Sequence, residues 1–473
     1  SLSGGSSGSV VLGGRTLVLS AASGHFAGAI TGAGGLTVEG GEEVLSGVNR
    51  YTGATSIGSD GTLALSGSGA IAMSSGLFNN GVFDISASHD GAQVQNMEGN
   101  GAVWLGGKTL TLTNAGGQFD GSIHGSGGLA IAGGYATLTG AQHYTGDTTI
   151  AQQAVLSLTG QASLAASREV AVDGALYFTQ PGQDTRLQSL SGSGTVILND
   201  DSLVLTDAHS RFDGGIHGAA GLTVAQGTQT LNGANWYNGV TRIDDGAGLA
   251  LGGSGSIALS SGVVADGRFD VSQATAGAQI TTLSGSGAVL LGGQVLTLTQ
   301  ASGNFSGSIQ GSGGLAIAAG HEILSGANTY SGDTVLAQGA RLTLEGEGSI
   351  ANSRLVLDGN RFDIAATDGG AAVKSLSGSG SVILGDQSLT ITGAGDTFTG
   401  NIRGSGGLAI TGGTQVLDTH LSVFHGATTI ASGATLGLAG QGSGGLAMSS
   451  GVLVNGTLDI AAMQVGAEIK TLA

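Results

Sequence analysis

An internal repeat of 93 residues constrains this chain more than any other feature. Phe26, Phe119, Phe212, Phe305 and Phe398 follow one another at that spacing, as do Leu36, Leu129, Leu222, Leu315 and Leu408. Tyr51, Tyr144, Tyr237 and Tyr330 keep the same step, and only the last period slips, where Phe424 and Leu472 fall slightly late of register with Tyr330 and Leu376. The periods run approximately 4–96, 97–189, 190–282, 283–375 and 376–471. A spacing held without insertions means that each unit meets its neighbours in the same way, which is the property of a solenoid.

Within a period, short alternations such as Leu296-Thr297-Leu298 and Leu315-Ala316-Ile317 put the large apolar residues on one face of a strand, and that face must point inward. Between them lie corners such as Asn80-Gly81, Asp173-Gly174, Asp266-Gly267 and Asn455-Gly456, which tolerate the positive φ of a tight turn. Taken singly these corners suggest hairpins. Hairpins give no reason for strict register, whereas stacked coils do. Each period divides into four segments of roughly 20 to 26 residues, the length of one β-helix coil. The expectation is an all-β, parallel β-solenoid of about 20 coils, continuous over residues 1–473. On that coil length Phe305-Ser306-Gly307 and Tyr330-Ser331-Gly332 stand one coil apart, which brings their two rings together.

Composition agrees. Of 473 residues, 94 are glycine and 1 is proline, without the three-residue period of collagen, and the regularly placed Val, Leu and Ile supply a core. There is no cysteine, so stability has to come from that core rather than from disulfides. The net charge of −18 and the lack of any Lys/Arg cluster speak against nucleic acid as a partner.

The segment Gly314-Leu315-Ala316-Ile317 through Ile323-Leu324-Ser325-Gly326-Ala327-Asn328-Thr329-Tyr330-Ser331-Gly332-Asp333-Thr334-Val335-Leu336 resembles the autotransporter-associated β-strand repeat. The match recurs from Gly128-Leu129 to Ile150 and from Gly35-Leu36 to Ile57, loosens at Leu231 to Gly239, and degrades at Val416-Leu417-Asp418-Thr419-His420. The resemblance implies a right-handed parallel β-helix, displayed on or secreted from a Gram-negative cell through an outer-membrane β-barrel of the same polypeptide. That barrel is expected in a C-terminal flank beyond this sequence.

Several motifs invite a chemical role. Gly311-Ser312-Gly313-Gly314-Leu315-Ala316 satisfies a dinucleotide-binding pattern, but β-patterned residues follow it where a helix is required. Gly4 to Gly8 spells a nucleophile-elbow pattern without the strand and helix an elbow needs. Asp84, Asp270, Asp363 and Asp459 recur on the outer side of strands and are expected as solvated or turn-bonding carboxylates. The densest charge group is Arg242, Asp244 and Asp245 near Arg268 and Asp270, with Asp266 close by. A salt-bridge ladder is its simplest account, a carbohydrate-processing site the sharper one. Trp236 occupies a variable, outward position and is a candidate for stacking on a sugar. No catalytic group, metal site or cofactor is expected.

These features point to a surface-displayed passenger acting as an adhesin or self-associating rod. Its partner would be a host surface, a matrix glycoprotein or glycan, or the same protein on a neighbouring cell, with repeated weak contacts supplying avidity. A carbohydrate-active β-helix enzyme and an inert stalk presenting an N-terminal domain are the alternatives.

Overall fold

The computed structural model describes residues 1–179, 185–419, 422–441 and 445–473, so His420 of the degraded repeat lies outside the described residues. Among these residues there is no helix, and the strands pair in parallel as a β-solenoid of about 22 turns. The chain forms two units, Ser1–Asn238 and Gly239–Ala473.

Register fixes the coil length. In the first unit Leu17 pairs with Leu36, Leu36 with Thr55, Thr55 with Leu77 and Leu77 with Met97, so successive coils are shorter than a quarter of a period. Four coils from Leu17 end at Met97, well before Leu110, which stands one full period beyond Leu17. The remainder is about two-thirds of a further coil. Four coils per period was the wrong division, because the corners that separate faces within a coil carry the same glycine-rich residues as those that separate coils. Leu36 and its equivalent Leu129 consequently stand in different stacks, Leu129 lying between Leu110 and Thr148. The second unit behaves alike. There Leu315 stacks between Leu296 and Thr334, and Leu408 stacks between Leu389 and Thr428.

The core is as the alternation predicts. Leu36, Leu129, Leu222, Leu315 and Leu408 are all buried, as are Phe26, Phe119, Phe212, Phe305 and Phe398. The aromatic-x-Gly signature has two separate causes. A Cβ on Gly307 would stand 2.7 Å from the tip of the Phe305 ring and would collide with the Gly287 carbonyl oxygen, so the ring lies over its own glycine. A Cβ on Gly332 would instead stand 2.5 Å from the backbone carbon of Gly313 on the preceding coil. Phe305 and Tyr330 are not stacked neighbours as expected. Phe305 pairs in register with Leu324 on the following coil, and Tyr330 donates its backbone N–H to the Ile309 carbonyl.

Three of the buried tyrosines, Tyr51, Tyr144 and Tyr330, anchor a hydroxyl chain. Tyr330 Oη lies 2.6 Å from Thr334 Oγ1, which lies 2.6 Å from Ser353 Oγ, and Ser353 donates to the Gly332 carbonyl at 2.7 Å. Tyr51-Thr55-Ser74 and Tyr144-Thr148-Ser167 repeat the arrangement, and burial pushes these phenols above their ordinary pKa. In the last period Phe424 replaces the tyrosine while Thr428 and Ser449 remain 3.2 Å apart. Tyr330→Phe, which copies that natural solution, should therefore cost about 1 kcal/mol or less, whereas Thr334→Val takes the partner from the buried Tyr330 hydroxyl and should cost about 1–3 kcal/mol. Denaturant titration of the two variants checks this order.

Candidate binding surface

Trp236 lies on strand Trp236–Tyr237, is 55% exposed, and pairs in register with His217. The two rings stack with centroids 6.4 Å apart and planes 11° from parallel. The indole therefore has an imidazole neighbour on one side while much of it stays exposed. The chain's other tryptophan is held in a longer stack. Trp104 pairs with His124 and His124 with His143, at 4.7 and 5.1 Å between centroids. His124 Nε2 lies 2.8 Å from Ser122 Oγ, and burial, then the neighbouring His143, lowers its pKa. Asp84 pairs with Trp104 from the preceding coil. Trp104, His124 and His143 follow one another at single-coil steps, a spacing that becomes legible in the sequence once the coil length is known.

The acidic and basic group around Arg242 divides into two ion pairs and does not form a ladder. Arg268 binds Asp270 on its own strand, and Arg242 Nη1 lies 3.8 Å from Asp266 Oδ2. Asp266 Oδ1 also accepts the backbone N–H of Ser286 at 3.2 Å. The Asp244 carbonyl accepts the N–H of Ala247 at the corner, and Asp245 shares a shallow cleft with Asp266 and Arg268. Burial raises the pKa of Asp270, but hydrogen bonds from Ser272 and Arg268 outweigh it and leave the carboxyl below its usual value. The pairing is not peculiar to one period. Arg361 and Asp363 stand one period further on and contact at 2.5 Å, while Arg211 and Asp213 meet at 3.0 Å. A pair as exposed as Arg211–Asp213 contributes about 0–1 kcal/mol.

The recurrent aspartates are turn-bonding as expected. Asp84, Asp270, Asp363 and Asp459 each accept the backbone N–H two positions on, at 2.8, 2.9, 3.1 and 2.9 Å. Among the described residues no three His, Cys, Asp or Glu side chains converge as metal ligands. Gly311 has φ 125° and precedes strand Leu315–Ile317, which accounts for the dinucleotide-like pattern as a coil corner.

One interior position also carries polar groups. Glu43, Ala136, Gln229, Glu322 and Gln415 are equivalents in successive periods. Gln229 Nε2 donates to the Leu190 carbonyl at 2.9 Å, and Gln415 Nε2 donates to the equivalent Leu376 carbonyl at 2.9 Å. Glu322 is fully buried, accepts one N–H from Gly303 at 3.3 Å through Oε2, and leaves Oε1 without a partner. Burial pushes its carboxyl up to about 8.

Over 390 residues, 74% of its length, the chain is 28% identical to a curated protein described as the adhesin BmaC autotransporter of Brucella suis biovar 1 (strain 1330). The matched stretch is 11% of that protein, so the chain corresponds to a small part of the relative. No family model matches the chain, and no solved structure matches it.

Proposed function

We propose, from the autotransporter passenger β-helix that this likeness and the solenoid fit, that the chain is part of an adhesin-like passenger displayed on the outside of a Gram-negative cell. The observation that carries this reading is the combination of the match to an autotransporter adhesin with a surface built as a repeated solenoid flank. The passenger reaches the surface through an outer-membrane β-barrel and engages host surfaces or matrix glycoproteins. It works by contact and not by turnover. The ion pairs of Arg242 with Asp266 and of Arg268 with Asp270 support this, since those side chains are engaged with each other.

The test displays the chain on cells that otherwise do not adhere and measures their retention on immobilised matrix glycoproteins. Retention above that of cells without the chain supports the reading, and equal retention overturns it. Purified chain is expected to release no product from matrix glycans. Turnover abolished by Asp244→Asn or Asp270→Asn would establish the enzymatic alternative.

Self-association is a second reading, favoured by outward Ser, Thr, Asn and Asp side chains in every period. Like charges oppose it, and salt at about 1 M shortens the screening length to about 3 Å, so association should strengthen with salt. Sedimentation velocity between about 0.05 and 0.5 M salt checks this, and a strict monomer throughout removes the reading.

A further inference from the structure

A cleft recurs on the surface at fixed steps of the repeat. Its first copy is lined by Ser68, Ala70, Ala72, Asp90, Gln93 and Thr109 and encloses about 310 Å³. A second lies two periods on, between Gly253 and Gln279, and a third lies three periods on, between Gly346 and Thr390, enclosing about 260 and 440 Å³. The equivalent stretch of the second period includes 182–184, which fall outside the described residues.

The cause is local. Gly67 and Gly91 turn with φ 56° and 84°, and the N–H of His89 donates to the Gly67 carbonyl at 2.7 Å. Gly253 and Gly277, with Thr275 donating to Gly253, repeat this geometry, as do Gly346 and Gly370, with Asp368 donating to Gly346. The hollow lies between coils beside these two turns, with alanines among its lining in each copy.

The first cleft is lined by Asp90, Gln93, Thr109 and Thr111 beside its alanines, residue types that carry a carboxylate, an amide and two hydroxyls. Groups of this kind can donate to and accept from sugar hydroxyls, and the volume sits at the lower end of small-ligand sites. Its lining holds no arginine or lysine, and the nearby Lys108 Nζ is engaged by the His89 carbonyl at 2.8 Å. With Asp90 at the rim and a chain charge of −18, anionic sugars are disfavoured. We propose that the Asp90–Gln93 cleft binds an uncharged saccharide unit. The proposal rests on the adhesin reading and gives it a site and a ligand class. In one copy Gln279 keeps the amide of Gln93 while Thr275 and Ala276 replace His89 and Asp90, and in the other Glu347, Asp368 and Ser388 replace Ser68, His89 and Thr109.

The test titrates the intact chain with lactose and maltotriose, with a heparin fragment as the anionic control, alongside the double variant Asp90→Asn/Gln93→Ala and the cleft-filling Ala72→Leu. Asp90 and Gln93 are exposed, so the double variant should keep the wild-type melting temperature. The expected result is saturable binding of an uncharged sugar, weakened about tenfold or more in both variants, and no comparable binding of heparin. Unchanged binding in the double variant, preference for heparin, or no binding of either neutral sugar overturns the proposal. Displayed chain that still holds cells to matrix glycoprotein in those cases leaves the adhesin reading standing, and loss of adhesion by the wild type removes that reading independently of the sugar titration.

Discussion

Glu322→Gln should stabilise the protein increasingly as pH rises, by several kcal/mol at pH 8. Glu322 is buried with one oxygen unpartnered, and its carboxyl is raised to about 8 in the folded chain, against about 4.3 when unfolded. The folded state therefore holds a proton that the unfolded state releases. Stability from this group is fully present below about pH 4.3 and is lost on the way up to pH 8 at about 1.4 kcal/mol per pH unit. Glutamine removes that slope and supplies the amide donor that Gln229 and Gln415 already direct to the Leu190 and Leu376 carbonyls. Urea unfolding of both forms at pH 5, 6.5 and 8 measures the divergence. Parallel pH profiles would show that the Glu322 carboxyl is not protonated in the fold.

Leu315→Asp should be the most damaging single change, costing about 5 kcal/mol or more. Leu315 is completely buried, stacked between Leu296 and Thr334, and an aspartate there adds an unpaired charge to the loss of packing. A solenoid coil contacts chiefly its neighbours, so the damage should be concentrated around the altered coil. Hydrogen exchange should show protection lost first in strands Leu296–Leu298, Leu315–Ile317 and Thr334–Leu336. Wild-type protection in those strands would contradict the packed core.

Much of this structure is legible in the sequence. The alternation around Leu315 and Leu408 gives the inward face, and the strict long repeat gives stacked coils. The coil length is harder to see, because strands on all faces alternate with the same period of two and end in the same glycines. The likeness of Leu17, Leu36 and Thr55, evenly spaced at single-coil steps, is the clue that carries it. From that one error follow the misplaced pairing of Phe305 with Tyr330 and the overlooked stack of Trp104, His124 and His143. The polar interior position was missed for a different reason. Glu322 stands two positions before inward Leu324 and so shares its face, whereas Glu345 directly follows inward Leu344, and the carboxylate masks a pattern otherwise read from apolar residues alone.

The two-thirds coil left over in each period has a consequence for how partners are met. Within each unit, a side chain and its counterpart one period later differ in angular phase by about one face of the solenoid, like marks on a screw thread. A flat receptor layer pressed against one side therefore does not meet consecutive copies of a determinant. A flexible polymer that winds with the thread does. The architecture thus offers partners that wrap a higher count of simultaneous contacts than partners that lie flat.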